Sequence, residues 1–408
     1  MTQNDNLISD IKTKLLTKLE YIDEVSDEEL QRMINEEMSI ICKESYIPIL
    51  ERISIEKQIF YSMRKLDILQ QFIEDPTITE IMINGPSSIF LEKDGHLFKS
   101  NLHFESEEVL KNIIQQIVAK CNRVVNDSSP IVDARLTDGS RVNVVLNPIA
   151  INGPIMTIRR FPEKPYSIDS LIALKSLSAE SASFLKKIVI SGYNIIISGG
   201  TGSGKTTFLN ALSSYIPSDE RIITIEDSAE LQIQGIDNLV RMETKNANIE
   251  GCKPITIRDL IKTSLRMRPT RIIVGEVRGG EAMDMICSAM NCGHDGSMST
   301  VHANSAIDTI ARLETMILMA VDLPVHAIRR QIASGVDIII HLGRLRDKSR
   351  RVLEIVEIKS FEDNDIAFNT LYKFVEDEYS TKDNVSGELI KCGELINVTK
   401  LEASGYTT

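Results

Sequence analysis

The residues best suited to chemistry are GGTGSGKT at positions 199–206, which satisfy every position of the phosphate-binding pattern G-x-x-x-x-G-K-[ST]. Residues without a Cβ let successive backbone N–H groups turn inward around a β-phosphate without steric penalty. Lys205 is the type of group that neutralises β and γ oxygens, and the hydroxyl of Thr206 is placed to ligate Mg²⁺. The expected phosphate cradle is Gly200, Thr201, Gly202, Ser203, Gly204, Lys205, Thr206 and Thr207. The role of Lys205 is electrostatic and the side chain is expected near the surface, so its removal should spare the fold. The apolar run Ile195 to Ile197 precedes the loop, and apolar positions 208, 211, 212 and 215 follow it. The pattern predicts a strand, a loop and a helix, with the positive end of the helix dipole at the anion site.

Phosphoryl transfer to water needs a metal, a group that orients or deprotonates the water, and positive charge on the developing γ-phosphate. Two apolar runs, RIITIE at 221–226 and RIIVGE at 271–276, each end on a carboxylate. Continuous β-branched runs read as parallel strands buried on both faces, whose C-terminal ends converge on a ligand crevice. Glu276 stands where a Walker B carboxylate belongs, although Gly275 occupies the position that is Asp in helicases and many other ATPases. A second carboxylate must then share the work, and Glu226 or Asp227 is its source. The stretch GHDGSMSTVHANS at 293–305 holds His294 and His302, either of which could donate to a phosphate or sense its loss. His96, His103, His326 and His341 are read as structural.

Around these residues the chain organises into several parts. Ser26 and Glu29 form a capping box before apolar Leu30, Met33, Ile34 and Met38, so residues 1–66 read as an acidic helical region. Residues 67–161 read as an α+β domain: short strands punctuated by turns at Asn84-Gly85, Asp94-Gly95, Asp138-Gly139 and Asn152-Gly153, with a helix capped by Ser106 on one face. The segment FPEKP at 161–165 opens a linker over 162–175. Residues 176–345 alternate helix and apolar strand, as in a P-loop NTPase, and 346–408 form a β-containing tail without recognisable chemistry.

Composition narrows the function. With 408 residues, 42% hydrophobic and 25% charged, the chain is globular and multi-domain. No apolar run approaches the ~20 residues that span a bilayer, and the start lacks a signal peptide, so a cytoplasmic protein is expected. Cys42, Cys121, Cys252, Cys287, Cys292 and Cys392 show no C-x-x-C pairing and read as free thiols. The net charge of −12, the absence of Trp and the 5% of aromatic residues weigh against nucleic acid as a partner. The run 341–351, with five basic residues and one acid, reads as a solvated turn with an interaction role as the alternative.

The segments GGTGSGKTT, TIEDSAEL, RIIVGEVRGGEA and GHDGSMSTVHANS resemble the Walker A, Asp box, Walker B and His box of the type II/IV secretion-system ATPases. Upstream, TEIMINGPSSIFLEKDGHL and VDARLTDGSRVNVV resemble that family's N-terminal domain, and the most similar branch is the tight-adherence (Flp) pilus assembly ATPase. The resemblance covers residues 67 to 345, and Gly275-Glu276 is the usual form in it. It implies an α/β architecture in which an N-terminal sensory domain precedes a RecA-like motor domain. It also implies a homo-hexamer on the inner face of the cytoplasmic membrane, using ATP and Mg²⁺ to drive membrane-embedded platform proteins without being inserted itself. By motif, Lys205 and Thr206 bind phosphate and Mg²⁺, Glu276 supports the metal, Glu226 activates water, and His302 and His294 belong to the His box. Arg141, Arg159 and Arg160 resemble N-terminal-domain arginines that close over the γ-phosphate. Two other readings remain, a RecA-like nucleic-acid motor and a nucleotide-gated scaffold that does not hydrolyse.

Overall fold

The structure is a computed structural model. It describes all residues except 1–2, 20–24, 45, 94, 122, 137, 161–164, 246–252, 363–364 and 407–408. Cys252, Asp94 of one expected turn, and the FPEKP segment except Pro165 therefore lie outside the described residues. The other five cysteines are free thiols. The chain divides into two compact units, Met1–Pro162 and Glu163–Thr408.

In the first unit, helices Gln3–Leu19, Asp27–Glu44 and Ile49–Arg64 bury Ile11, Leu15, Ile34, Met38 and Ile59 between them. The second helix starts where the capping box predicts: Ser26 Oγ accepts from Glu29 N–H at 3.2 Å, and Glu29 Oε2 accepts from Ser26 N–H at 3.1 Å. Six antiparallel strands follow: β1 Ile78–Asn84, β2 Ile89–Lys93, β3 His96–Lys99, β4 Ile131–Arg135, β5 Arg141–Val145 and β6 Ile155–Arg159. They are ordered β3-β2-β1-β6-β5-β4. Alternate residues Ile81, Ile83, Val142, Val144, Met156 and Ile158 point to one face, where helix Glu107–Lys120 covers them with Leu110, Ile113, Ile114 and Ile117.

The second unit is built on nine strands: β7 Ile195–Gly199, β8 Ile222–Glu226, β9 Leu239–Glu243, β10 Arg271–Val277, β11 Met298–Val301, β12 Ile338–Arg344, β13 Arg350–Glu362, β14 Asp365–Glu376 and β15 Gly387–Lys391. Their order is β15-β14-β13-β12-β7-β11-β10-β8-β9. From β12 to β9 all pairings are parallel, whereas β12 to β15 pair antiparallel. The residues after 345 thus continue the same sheet, and Leu371, Tyr372 and Leu389 share its core. The apolar runs are uninterrupted because both faces are covered: Ile195 and Ile197 enter one core, Ile196 the other. Strand β7 lies between β12 and β11, so the loop that follows it emerges at the middle of the sheet.

One buried ion pair ties the start of β10 to its surroundings. Arg271, 2% exposed, meets both oxygens of Glu220 at 2.5 and 2.6 Å and donates to the Val189 carbonyl at 2.6 Å. Gly296 makes room for it, since a Cβ there would stand 2.4 Å from Arg271 Nη1. Arg271→Ala leaves a carboxylate without its partner, and we expect a loss of about 3 kcal/mol in stability. The check is a lower urea midpoint at unchanged m value.

A phosphate-loop cleft at the ends of the central strands

Strand β7 ends at Gly199 and helix Lys205–Ser213 begins six residues later. Gly202 and Gly204 hold φ at +72° and +92°, the left-handed region that an L side chain rarely adopts. Gly204 is the residue before the helix and offers no side-chain cap, so the first N–H groups of the helix keep their capacity for an anion. Ser203 Oγ donates to the Gly200 carbonyl at 2.9 Å and closes the loop from within. Thr206 and Thr207 are half-buried in the first turn.

Lys205 departs from expectation. It is only 7% exposed, not near the surface, because its stem folds back under the loop. Its ammonium donates to the carbonyls of Gly199 and Gly200 at 3.0 and 3.1 Å and stands 3.4 Å from both ring nitrogens of His302. A buried ammonium held by carbonyls is ready to exchange them for stronger phosphate acceptors.

The two strand-end carboxylates lie close together in the sheet. Glu226 is 3% exposed; its Oε2 accepts N–H bonds from Glu230 and Leu231 at 2.7 and 2.8 Å, while its buried Oε1 has no hydrogen-bond partner. Burial pushes its pKa up to about 7, against the opposing pull of those two N–H groups. Glu276 Oε2 accepts from Arg278 at 2.7 Å, and its Oε1, also buried, makes no hydrogen bond even though His302 Nε2 lies 2.9 Å away. The structure explains Gly275: a Cβ there would stand 3.0 Å from Glu226 Cγ and 3.4 Å from its Oε2. A side chain before Glu276 would press on Glu226 and require it to shift by a few tenths of an ångström. Arg278, which the sequence reading did not single out, also reaches Asp227 at 4.0 Å. Its only sequence signal was a position two residues beyond Glu276.

The histidines separate. His302 follows β11 and stands between Lys205 and Glu276; burial, then the ammonium, holds its imidazole below the ordinary pKa, so it is neutral at pH 7. His294 precedes β11 and lies toward the N-terminal ends of the parallel strands, where neighbouring Asp295 packs at Gly192 before β7 begins. Its assignment to the nucleotide pocket is therefore withdrawn: β11 runs parallel to β7, and only the C-terminal ends of these strands face the loop. His341, read as structural, is 7% exposed on β12 with its Nδ1 3.0 Å from Ser198 Oγ, just before the loop. Beside the loop, Gly200, Thr201, His302, Asn304 and Arg312 line a cavity of about 470 Å³.

Arg141, Arg159 and Arg160 belong to the first unit. Arg141 and Arg159 are cross-strand partners on β5 and β6, and Asp133 approaches Arg141 at 3.6 Å. Arg160 is differently occupied: its Nη1 donates to the carbonyls of Asp75 and, at 3.2 Å, Ile78.

The donor set fits Mg²⁺. Glu276 supplies a carboxylate near the end of β10, and Thr206 a hydroxyl in the first turn of the helix that follows the loop. Among the described residues no three His, Cys, Asp or Glu are grouped to hold a metal alone. That suits an ion that takes one or two carboxylates and completes its shell with phosphate oxygens and water.

A mixed sheet whose parallel part has a glycine loop at its centre and carboxylates toward the C-terminal ends of two adjacent strands defines an α/β protein with a phosphate-loop sequence. The family model described as "Type II/IV secretion system protein" matches residues 62–389, and the chain belongs to that family. The type IV secretion system protein VirB11 of Brucella suis biovar 1 is 34% identical over 308 residues, covering 68% of this chain and 84% of the relative. The conjugal transfer protein TrbB of Rhizobium radiobacter is 33% identical over 297 residues, 72% of this chain and 87% of its own. Among solved structures, the pilus retraction motor PilT with bound ADP aligns over 83% of this chain and 86% of its own, with a TM-score of 0.51 and 20% identity. The ATPase DotB of Yersinia pseudotuberculosis aligns over 72% and 79%, with a TM-score of 0.53 and 17% identity. At these identities the two structures speak for the α/β fold alone. Among the described residues no helix is long and apolar enough to cross a membrane.

Proposed function

We propose that the chain is a Mg²⁺-dependent ATPase that works as a homo-hexameric motor of a tight-adherence pilus or related secretion machine. In this reading it acts at the inner face of the cytoplasmic membrane on platform proteins embedded there. The observation that carries the reading is the cluster at the glycine loop, where the His302 ring stands 3.4 Å from the Lys205 ammonium and 2.9 Å from Glu276 Oε1, with Glu226 Oε1 buried and without a hydrogen-bond partner on the strand next to that of Glu276. An oxygen such as Glu226 Oε1 is unfavourable to bury without a ligand to satisfy it. The relatives' names, which speak of type IV secretion and conjugal transfer, support the same direction.

The roles follow from the geometry. Lys205 exchanges the carbonyls of Gly199 and Gly200 for β- and γ-phosphate oxygens. The hydroxyl of Thr206 and the carboxylate of Glu276 hold Mg²⁺, which when bound offsets the negative charge of the phosphates. Glu226, with a pKa of about 7, takes the proton of the attacking water. Neutral His302, with a single ring N–H, stands between the Lys205 ammonium and Glu276 Oε1 and positions the two against the phosphates. Arg141 and Arg159, whose like charges stand together across β5 and β6, are the candidates for further positive charge on the γ-phosphate. Arg160, already engaged by two carbonyls, anchors the end of β6. The 67–161 segment takes the sensory role, and 176–345 the motor role.

Sedimentation of the purified chain with ATP and Mg²⁺ should give a ring-sized species of six protomers, with phosphate release indifferent to added single-stranded DNA. A strictly monomeric species, or release stimulated by DNA, contradicts the reading.

A further inference from the structure

Helix Ala306–Leu318 begins just after His302 and is capped by Ser305, whose Oγ accepts from the Asp308 N–H at 3.0 Å. One face buries Ile310, Leu313, Met316 and Ile317 in the core that holds Ile196, Ile272 and Val274 of the sheet. The other face, at helical spacing through Asp308, Arg312 and Thr315, lines the cavity of about 470 Å³ together with His302 and with Gly200 and Thr201 at the start of the glycine loop. Side chains on a helix tilt toward its N-terminus, so Arg312 reaches back toward the His302 end of this cavity.

The other cations at the loop have partners. Lys205 donates to the Gly199 and Gly200 carbonyls, Arg278 to Glu276, and Arg350 Nε to the Gly202 carbonyl at 2.9 Å. Arg312 is exposed, and among the described residues it makes no hydrogen bond, ion pair or ring contact, not even with Asp308 one turn earlier. On an open helix surface that would be ordinary; here the guanidinium shares a cavity with the ring that stands 3.4 Å from the Lys205 ammonium. Its field reaches that ring: after burial and the Lys205 ammonium, Arg278 and then Arg312 also hold the His302 imidazole below its ordinary pKa. Asp308 is the single acid lining the cavity.

A phosphate-loop lysine meets the β- and γ-phosphates, so a terminal phosphate on Lys205 stands beside His302, at this cavity. We propose that Arg312 is the residue that tells ATP from ADP: across the cavity it shares with His302 and the start of the glycine loop, its guanidinium binds the γ-phosphate. The proposal rests on the ATPase reading given above. A planar guanidinium suits the purpose, because it offers two parallel donors to a phosphate and keeps its charge at every working pH.

The test compares wild type, Arg312→Met and Arg312→Lys for the Kd of ADP and of the non-hydrolysable analogue AMP-PNP, both with Mg²⁺, alongside melting temperature and sedimentation. Arg312→Met should weaken AMP-PNP about tenfold, the loss of a charge-assisted hydrogen bond, and leave ADP within about twofold. Arg312→Lys should recover part of the AMP-PNP affinity, since it keeps the charge without the paired donors. The melting temperature without nucleotide should stay unchanged, because the side chain is exposed. Unaltered AMP-PNP affinity in Arg312→Met overturns the proposal, and so does an equal weakening of ADP and AMP-PNP. A smaller sedimenting species with wild-type AMP-PNP affinity also overturns it, by assigning Arg312 to a contact between copies of the chain. If the wild type itself binds neither nucleotide, the ATPase reading falls and this proposal with it; a wild type that binds both while Arg312→Met keeps its preference sinks the proposal alone.

Discussion

Lys205→Ala should lower phosphate release from ATP by about 10²- to 10³-fold, the loss typical of removing one preorganised donor from developing charge. The ammonium sits beneath the loop, 7% exposed, between the carbonyls of Gly199 and Gly200 and the ring of His302. No water-exposed cation can substitute from that depth. Because the lysine is buried, the variant also tests the fold. The carbonyl of exposed Gly200 regains water whereas that of buried Gly199 loses its partner, so the stability change should be about 1–2 kcal/mol. Near-wild-type turnover in a protein with an unchanged melting temperature would remove Lys205 from the phosphate site.

Glu226→Gln should lower turnover by about 10²- to 10⁴-fold, the range for a general base. It should also remove the acid limb of the pH profile. With a pKa of about 7 in the free protein, Glu226 is half protonated near neutrality, so wild-type kcat/KM should rise as pH increases through about 7. The same shift has a consequence for stability, with the opposite direction. Its folded pKa lies above the ordinary 4.5, so the folded state binds the extra proton between those values. That contribution is complete below pH 4.5 and lost as pH rises through about 7; Glu226→Gln should flatten this part of the stability curve. A variant that keeps both the acid limb and the stability slope would assign them to other groups.

The loop and both carboxylates were legible in the sequence because their constraints are local. Gly202 and Gly204 need positive φ, and strands buried on both faces need unbroken β-branched runs. What the sequence could not show depends on neighbours distant along the chain. Gly275 looked anomalous until Glu226, one strand away, was seen packed against it. His294 and His302 are close in sequence, yet the four-residue β11 between them carries them roughly 13 Å apart along the sheet. Lys205 was expected near the surface because its role is electrostatic, and local sequence does not report depth beneath a loop. The basic run 341–351 read as a solvated turn, and only the pairing of β12 with β7 brings Arg350 to Gly202.

The most direct measurement is nucleotide binding and phosphate release by the purified chain, with Glu276→Gln in parallel. The account predicts that wild type binds and splits MgATP, whereas Glu276→Gln binds the nucleotide and releases phosphate far more slowly. Absence of nucleotide binding in the wild type, or equal release from both proteins, would contradict it.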